Sequence, residues 1–83
     1  MDFYMVEFHD LSRNTEHDIQ LPAFLTGNEL VHALQEAYEL KIDLSDPGQV
    51  YLRAENPIAL IMGEDTLQAL GISNGTSIYF DPR

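Results

Sequence analysis

Three histidines hold most of the potential chemistry in this chain: His9 beside Asp10, His17 beside Asp18, and His32. His9-Asp10 and His17-Asp18 flank a short polar segment. On a hairpin they would approach each other, and imidazole with carboxylate is a donor set for a divalent metal. Ordinary polar loop residues are the commoner case for such a pattern, so no metal is assigned. His32 falls on a helix flank away from the apolar stripe and is read as solvent-facing. Asp43-Leu44-Ser45-Asp46 and Glu64-Asp65 are read as acidic loops, since glycoside-type chemistry needs two acids facing across a cleft. Gly71 and Gly75 make no phosphate loop, because no Gly-rich run leads into a helix with lysine. The chain has no cysteine, hence no thiolate nucleophile, zinc-thiolate site or disulfide. The expectation is a non-enzyme with no catalytic residue and no cofactor.

A second group of residues suits recognition better than catalysis. Strand alternation that turns Val6, Leu52 and Ile78 toward a helix turns Phe3 or Met5, Tyr51, Arg53 and Tyr79 away from it. Tyr, Met, Phe and Arg are the types enriched at the centres of interfaces. Met5, Tyr51, Arg53 and Tyr79 are therefore the candidate protein-interaction residues. Cross-strand aromatic pairing that merely stabilises the sheet is the competing reading.

Charge narrows the partner class. Fourteen acids against four bases leave a net charge of −10 in 83 residues. Phosphate binding needs clustered Lys and Arg, whereas Arg13, Lys41, Arg53 and Arg83 are scattered. Charge alone therefore argues against nucleic acid as a partner, and a basic protein partner or plain solubility fits better. No apolar run is long enough to span a membrane, and the first residues lack a basic signal region. One soluble cytoplasmic domain over residues 1–83 is expected, with homodimerisation left open.

The elements that must position these residues follow from periodicity. Leu25 to Leu40 has the strongest helical pattern. Thr26 and Glu29 have capping-box spacing, and Leu25 with Leu30 has that of a hydrophobic staple. Leu30, Val31, Leu34, Ala37 and Tyr38 form the apolar stripe, with Gln35, Glu36 and Glu39 opposite. The helix should end near Leu40 or Lys41, with Lys41 at the negative end of its dipole. Strands are expected at Phe3–Phe8, Asp18–Pro22, Gln49–Ala54, Ile58–Met62 and Thr76–Phe80. Turns are expected at Asp46-Pro47-Gly48, Asn56-Pro57 and Asn74-Gly75. A short helical turn over Asp65–Gly71 would be capped by Asp65 and stopped by Gly71. The order is strand, strand, helix, strand, strand, helical turn, strand. The simplest packing is α+β: one helix across a mixed five-stranded sheet, with strands one and five parallel and adjacent in the middle. That is the β-grasp arrangement.

This order and spacing resemble ubiquitin over essentially the whole chain. A closer resemblance is to the small ubiquitin-like proteins of the YukD/EsaB family, found with type VII secretion systems of Gram-positive bacteria. The opening strand into Asp10-Leu11, Asp18-Ile19-Gln20-Leu21-Pro22-Ala23-Phe24 before the helix, and Leu70-Gly71-Ile72-Ser73-Asn74-Gly75-Thr76-Ser77-Ile78 carry it. The sequence closes on Asp81-Pro82-Arg83 rather than Gly-Gly and holds one lysine, Lys41, so a conjugated modifier or sulfur carrier is not expected. The resemblance implies a non-enzymatic interaction or regulatory component of the secretion machinery. The alternative is a small β-grasp accessory subunit of a multicomponent oxygenase.

Overall fold

The computed structural model describes residues 2–46, 48 and 50–81. Pro47 and Gln49, on which an expected turn and strand partly fell, lie outside that set, as do Pro82 and Arg83. Phe3–Asp10 form β1 and Thr15–Pro22 form β2, a register-matched antiparallel hairpin. Both strands run longer than their apolar alternation. Ladder hydrogen bonds carry polar residues such as His9, Asp10, Glu16 and His17 into the sheet. Among the described residues the one α-helix, α1, spans Gly27–Tyr38, followed by β3 (Leu52–Glu55), β4 (Ala59–Ile61) and β5 (Ser77–Phe80). The sheet order is β2-β1-β5-β3-β4. The central pair β1 and β5 is parallel and every other pair is antiparallel. The molecule is therefore an α+β protein with one helix on a mixed five-stranded sheet, an order compatible with the expected β-grasp.

The start of the helix is built as its sequence dictates. The Glu29 N–H donates to the Thr26 hydroxyl at 3.1 Å, and the Thr26 N–H donates to the Glu29 carboxylate at 3.0 Å. The two preceding N–H groups, which a helix leaves without internal partners, find loop carbonyls. Gly27 donates to Asp65 at 2.9 Å and Asn28 to Gly63 at 2.8 Å. This loop lies so close that a Cβ on Gly27 would sit 2.5–2.8 Å from backbone atoms of Met62. Glycine is needed here for approach.

The other helix end departs from expectation. The helix stops at Tyr38, and Glu39 adopts the left-handed conformation as C-cap. Lys41 is exposed beyond it, and no basic residue lies in the last turn. Arg13 supplies the positive charge instead, from the β1–β2 turn. Its guanidinium donates to the Tyr38 carbonyl and, at 3.0 Å, to that of Glu39. Asp10, only 2% exposed, holds Arg13 in place through a 3.0 Å hydrogen bond. The Asp10 carboxylate also accepts from the Ser12 N–H and hydroxyl. Burial alone would raise its pKa, but the Ser12 bonds and the Arg13 charge outweigh burial and hold it below the ordinary value.

The core gathers Val6, Phe8, Leu52, Ala54, Ile61, Ile78 and Phe80 from the sheet against Leu30, Val31 and Leu34 of the helix. Ala37, assigned to the apolar stripe, is exposed. Gln35, assigned to the polar side, is half-buried, and its side-chain carbonyl accepts from the Ile42 N–H at 3.1 Å. After the helix the chain turns inward instead, burying Leu40 and Ile42. Residues 65–71 form hydrogen-bonded turns rather than a helix, and Thr66, not Asp65, caps them: the Ala69 N–H donates to its hydroxyl at 3.1 Å. The Asp65 backbone is occupied at the helix start. Gly71 has the expected positive φ, at 86°. None of the described helices is long and apolar enough to cross a membrane.

Candidate functional site

The face of the sheet that the helix leaves uncovered is assembled by register. Side chains of paired residues point the same way, so the pairs His9↔Glu16, His9↔Tyr79, Arg53↔Tyr79 and Arg53↔Leu60 define one row across all five strands. The row reads Glu16, His9, Tyr79, Arg53, Leu60. At its centre the His9 and Tyr79 rings stack, with centroids 4.7 Å apart and planes 16° from parallel. The Arg53 guanidinium carbon lies 5.2 Å from the centroid of the Tyr79 ring, within cation–π range. Arg53 also approaches the Asp81 carboxylate at 3.7 Å. Tyr79 is thus held on both flanks by a planar nitrogen-bearing group.

Two of the four candidate residues, Arg53 and Tyr79, are brought into contact. Tyr51, just before β3, is half-buried. Met5 is on the same face and 51% exposed, but it does not join the group. Four residue steps of strand, about 13 Å, separate it from His9. The paired residues Glu7, Ser77 and Glu55, with Asp18, fill the row between. Strand β5 pairs with β1 only from Glu7 onward, and the Met5 backbone bonds the Asn74-Gly75 turn instead, at 2.8 and 2.9 Å.

His9, Glu16 and Leu60 belong to the row but were not among the candidates. Extending the alternation of Val6 and Phe8 by one residue places His9 outward; ending that strand at Phe8 hid it. Leu60 belongs to an apolar edge: Ile58, Leu60 and Met62 are 90%, 53% and 43% exposed. Edge strands with exposed apolar side chains invite partners.

His9, Asp10, His17 and Asp18, weighed above as a donor set to which no metal was assigned, are not brought together. His17 pairs with Phe8 and lies against Tyr38, at 4.9 Å between ring centroids, on the helix side of the sheet. His9 is on the opposite side. Asp10 is consumed by Ser12 and Arg13. The acidic loops also have structural roles. Asp43 accepts from the Ser45 hydroxyl and N–H at 2.6 and 3.0 Å, bonds that lower its pKa, the hydroxyl foremost. Asp46 accepts from the Gly48 N–H at 3.0 Å. His32 is exposed as expected and lines an open cavity of about 350 Å³ with Asn28, Leu44, Val50 and Met62. Comparison with models of known protein families and with curated proteins gives no match.

Proposed function

We propose that this chain is a ubiquitin-like β-grasp module that binds a protein partner through the uncovered face of its sheet. In this reading it is a non-enzymatic, cytoplasmic regulatory component of a bacterial type VII secretion system, as its resemblance to the YukD/EsaB proteins implies. The observation that carries the docking surface is the Arg53–Tyr79–His9 stack running into exposed Leu60. It combines an oriented aromatic, an arginine and an apolar anchor, the composition of interface centres. Around it lie Glu7, Glu16, Asp18 and Glu55, so a partner with basic residues at the rim of its contact is favoured.

The test is affinity capture from the native cytosol with mass-spectrometric identification, comparing the natural chain with a Tyr51→Ala, Tyr79→Ala double variant checked for an unchanged circular dichroism spectrum. Secretion-machinery components captured by the natural chain and lost with the variant are the expected outcome. Equal capture by both would sink the surface assignment. Capture of iron-oxygenase subunits instead would replace the secretion reading with that of an oxygenase accessory subunit.

A further inference from the structure

We propose that Glu7, His9 and Glu16 form a binding site for a divalent transition-metal ion of the zinc class on the uncovered face of the sheet. One ring nitrogen of His9 and one carboxylate oxygen from each glutamate lie within 4.8 Å of one another. A point central to three such atoms is at most about 2.8 Å from each, against bonds of roughly 2.0–2.2 Å from zinc to nitrogen or carboxylate oxygen. The shortfall of about 0.6 Å is within reach of a small torsion in each glutamate, and both glutamates are exposed and free to make it.

The sheet fixes the spacing. Glu7 and His9 are two apart on β1, on the same face, and Glu16 is the direct cross-strand partner of His9. Stacking on Tyr79 fixes the plane of the imidazole. Its Nδ1 lies 3.4 Å from the Glu16 carboxylate and its Nε2 3.8 Å from that of Glu7. Each ring nitrogen therefore has one carboxylate of the proposed site on its side of the ring.

Two further observations point to a cation. The His9 side chain keeps 18% exposure, and its Nε2 atom is covered and has no hydrogen-bond partner among the described residues, which leaves that nitrogen open to a ligand. Glu7 also faces Asp18 directly across the strands, a like-charge pair that disfavours the sheet unless a cation sits nearby. Imidazole with carboxylates selects zinc, copper or nickel over magnesium, which prefers oxygen alone. Three ligands from one chain leave coordination positions for water. This site does not depend on the docking reading.

Zinc chloride titrated into the metal-free 83-residue chain at high ionic strength, followed by calorimetry and by NMR of the histidine and tyrosine rings, tests the site. One saturable equivalent is expected, moving the signals of His9 and Tyr79 and leaving those of His17 and His32. His9→Gln and Glu16→Gln should each weaken binding by about tenfold or more, while Glu36→Gln and His17→Gln leave it unchanged. Glu16 is exposed, so its variant tests the site even where His9→Gln unsettles the sheet. Absence of saturable binding, an equal loss with Glu36→Gln, or a response confined to His17 or His32 overturns the proposal. Saturation by magnesium with the same ring shifts would overturn the assignment to the zinc class.

Discussion

On β5, Ile78 and Tyr79 are adjacent in sequence and face opposite ways. Ile78 is fully buried in the cluster with Leu30, Val31 and Leu34. Tyr79 is half-covered, flanked by His9 and Arg53 from the neighbouring strands. The helix side of the sheet spends nearly all of its residues on packing, as a domain of this size must. The uncovered side holds its aromatic by flat contacts between planar groups and leaves apolar and charged atoms in water. The difference separates what holds the fold from what is available to a partner.

The sharpest way to break that contrast is a pair of alanines. Ile78→Ala is expected to destabilise the chain by about 2–5 kcal/mol, through lost transfer energy and the cavity left behind. Tyr79→Ala should cost on the order of 1 kcal/mol, the worth of its aromatic and cation–π contacts. Urea unfolding of both variants measures the two values. Similar losses would mean that the uncovered face is part of the core in energy, and the case for a docking surface would lose its basis.

Gly27→Ala follows in size. The added methyl would meet the Met62 backbone at 2.5–2.8 Å, so the helix start or the 62–65 loop must move. Overpacking of this kind costs about 1–3 kcal/mol, despite alanine being the better helix former. A gain in melting temperature would show that the loop is not fastened to the helix.

These two sites also show what the sequence could disclose. The capping box at Thr26 and Glu29 was legible because both partners lie within four residues. The reason for Gly27 was not, since Met62 is far along the chain. The opposite helix end repeats the lesson. Lys41 had the right charge at the right place in sequence, but Arg13 from the hairpin turn takes the role. Alternation likewise placed Val6, Leu52 and Ile78 inward and Arg53 and Tyr79 outward. It carries no information on where one strand starts against the next, so Met5 was grouped with residues from which a row of acids separates it. Faces were readable, and so was the strand order. Register, and with it the make-up of the site, was not.

Asp10 makes a third test, on the helix side but with a polar group. Its folded pKa is lowered from an ordinary value of 3.8. A depressed carboxylate adds stability that is present above the unfolded pKa and is lost as pH falls through the folded one. Asp10→Asn should therefore cost about 1–3 kcal/mol at neutral pH. The gap to the natural chain should narrow below about pH 4. Thermal melts of both proteins from neutral pH down to about pH 2 read it. A gap that does not change with pH would assign the loss to packing and remove the charge of Asp10 from the helix C-terminal clamp.

The smallest effect on stability is expected from Leu60→Ser, and it sharpens the comparison most. Leu60 shares a register row with Tyr79 and Arg53 but lies on the edge strand, 53% exposed. A side chain already in water loses little when shortened, so the change in unfolding free energy should stay within about 0.5 kcal/mol. Partner capture should fall all the same, because an exposed apolar anchor beside an arginine and an aromatic gains its energy only when covered. A stability loss above about 1 kcal/mol would instead place Leu60 among the residues that hold the sheet together. Capture that survives the substitution would confine the docking surface to the Arg53–Tyr79–His9 stack and leave the apolar edge of β4 outside it.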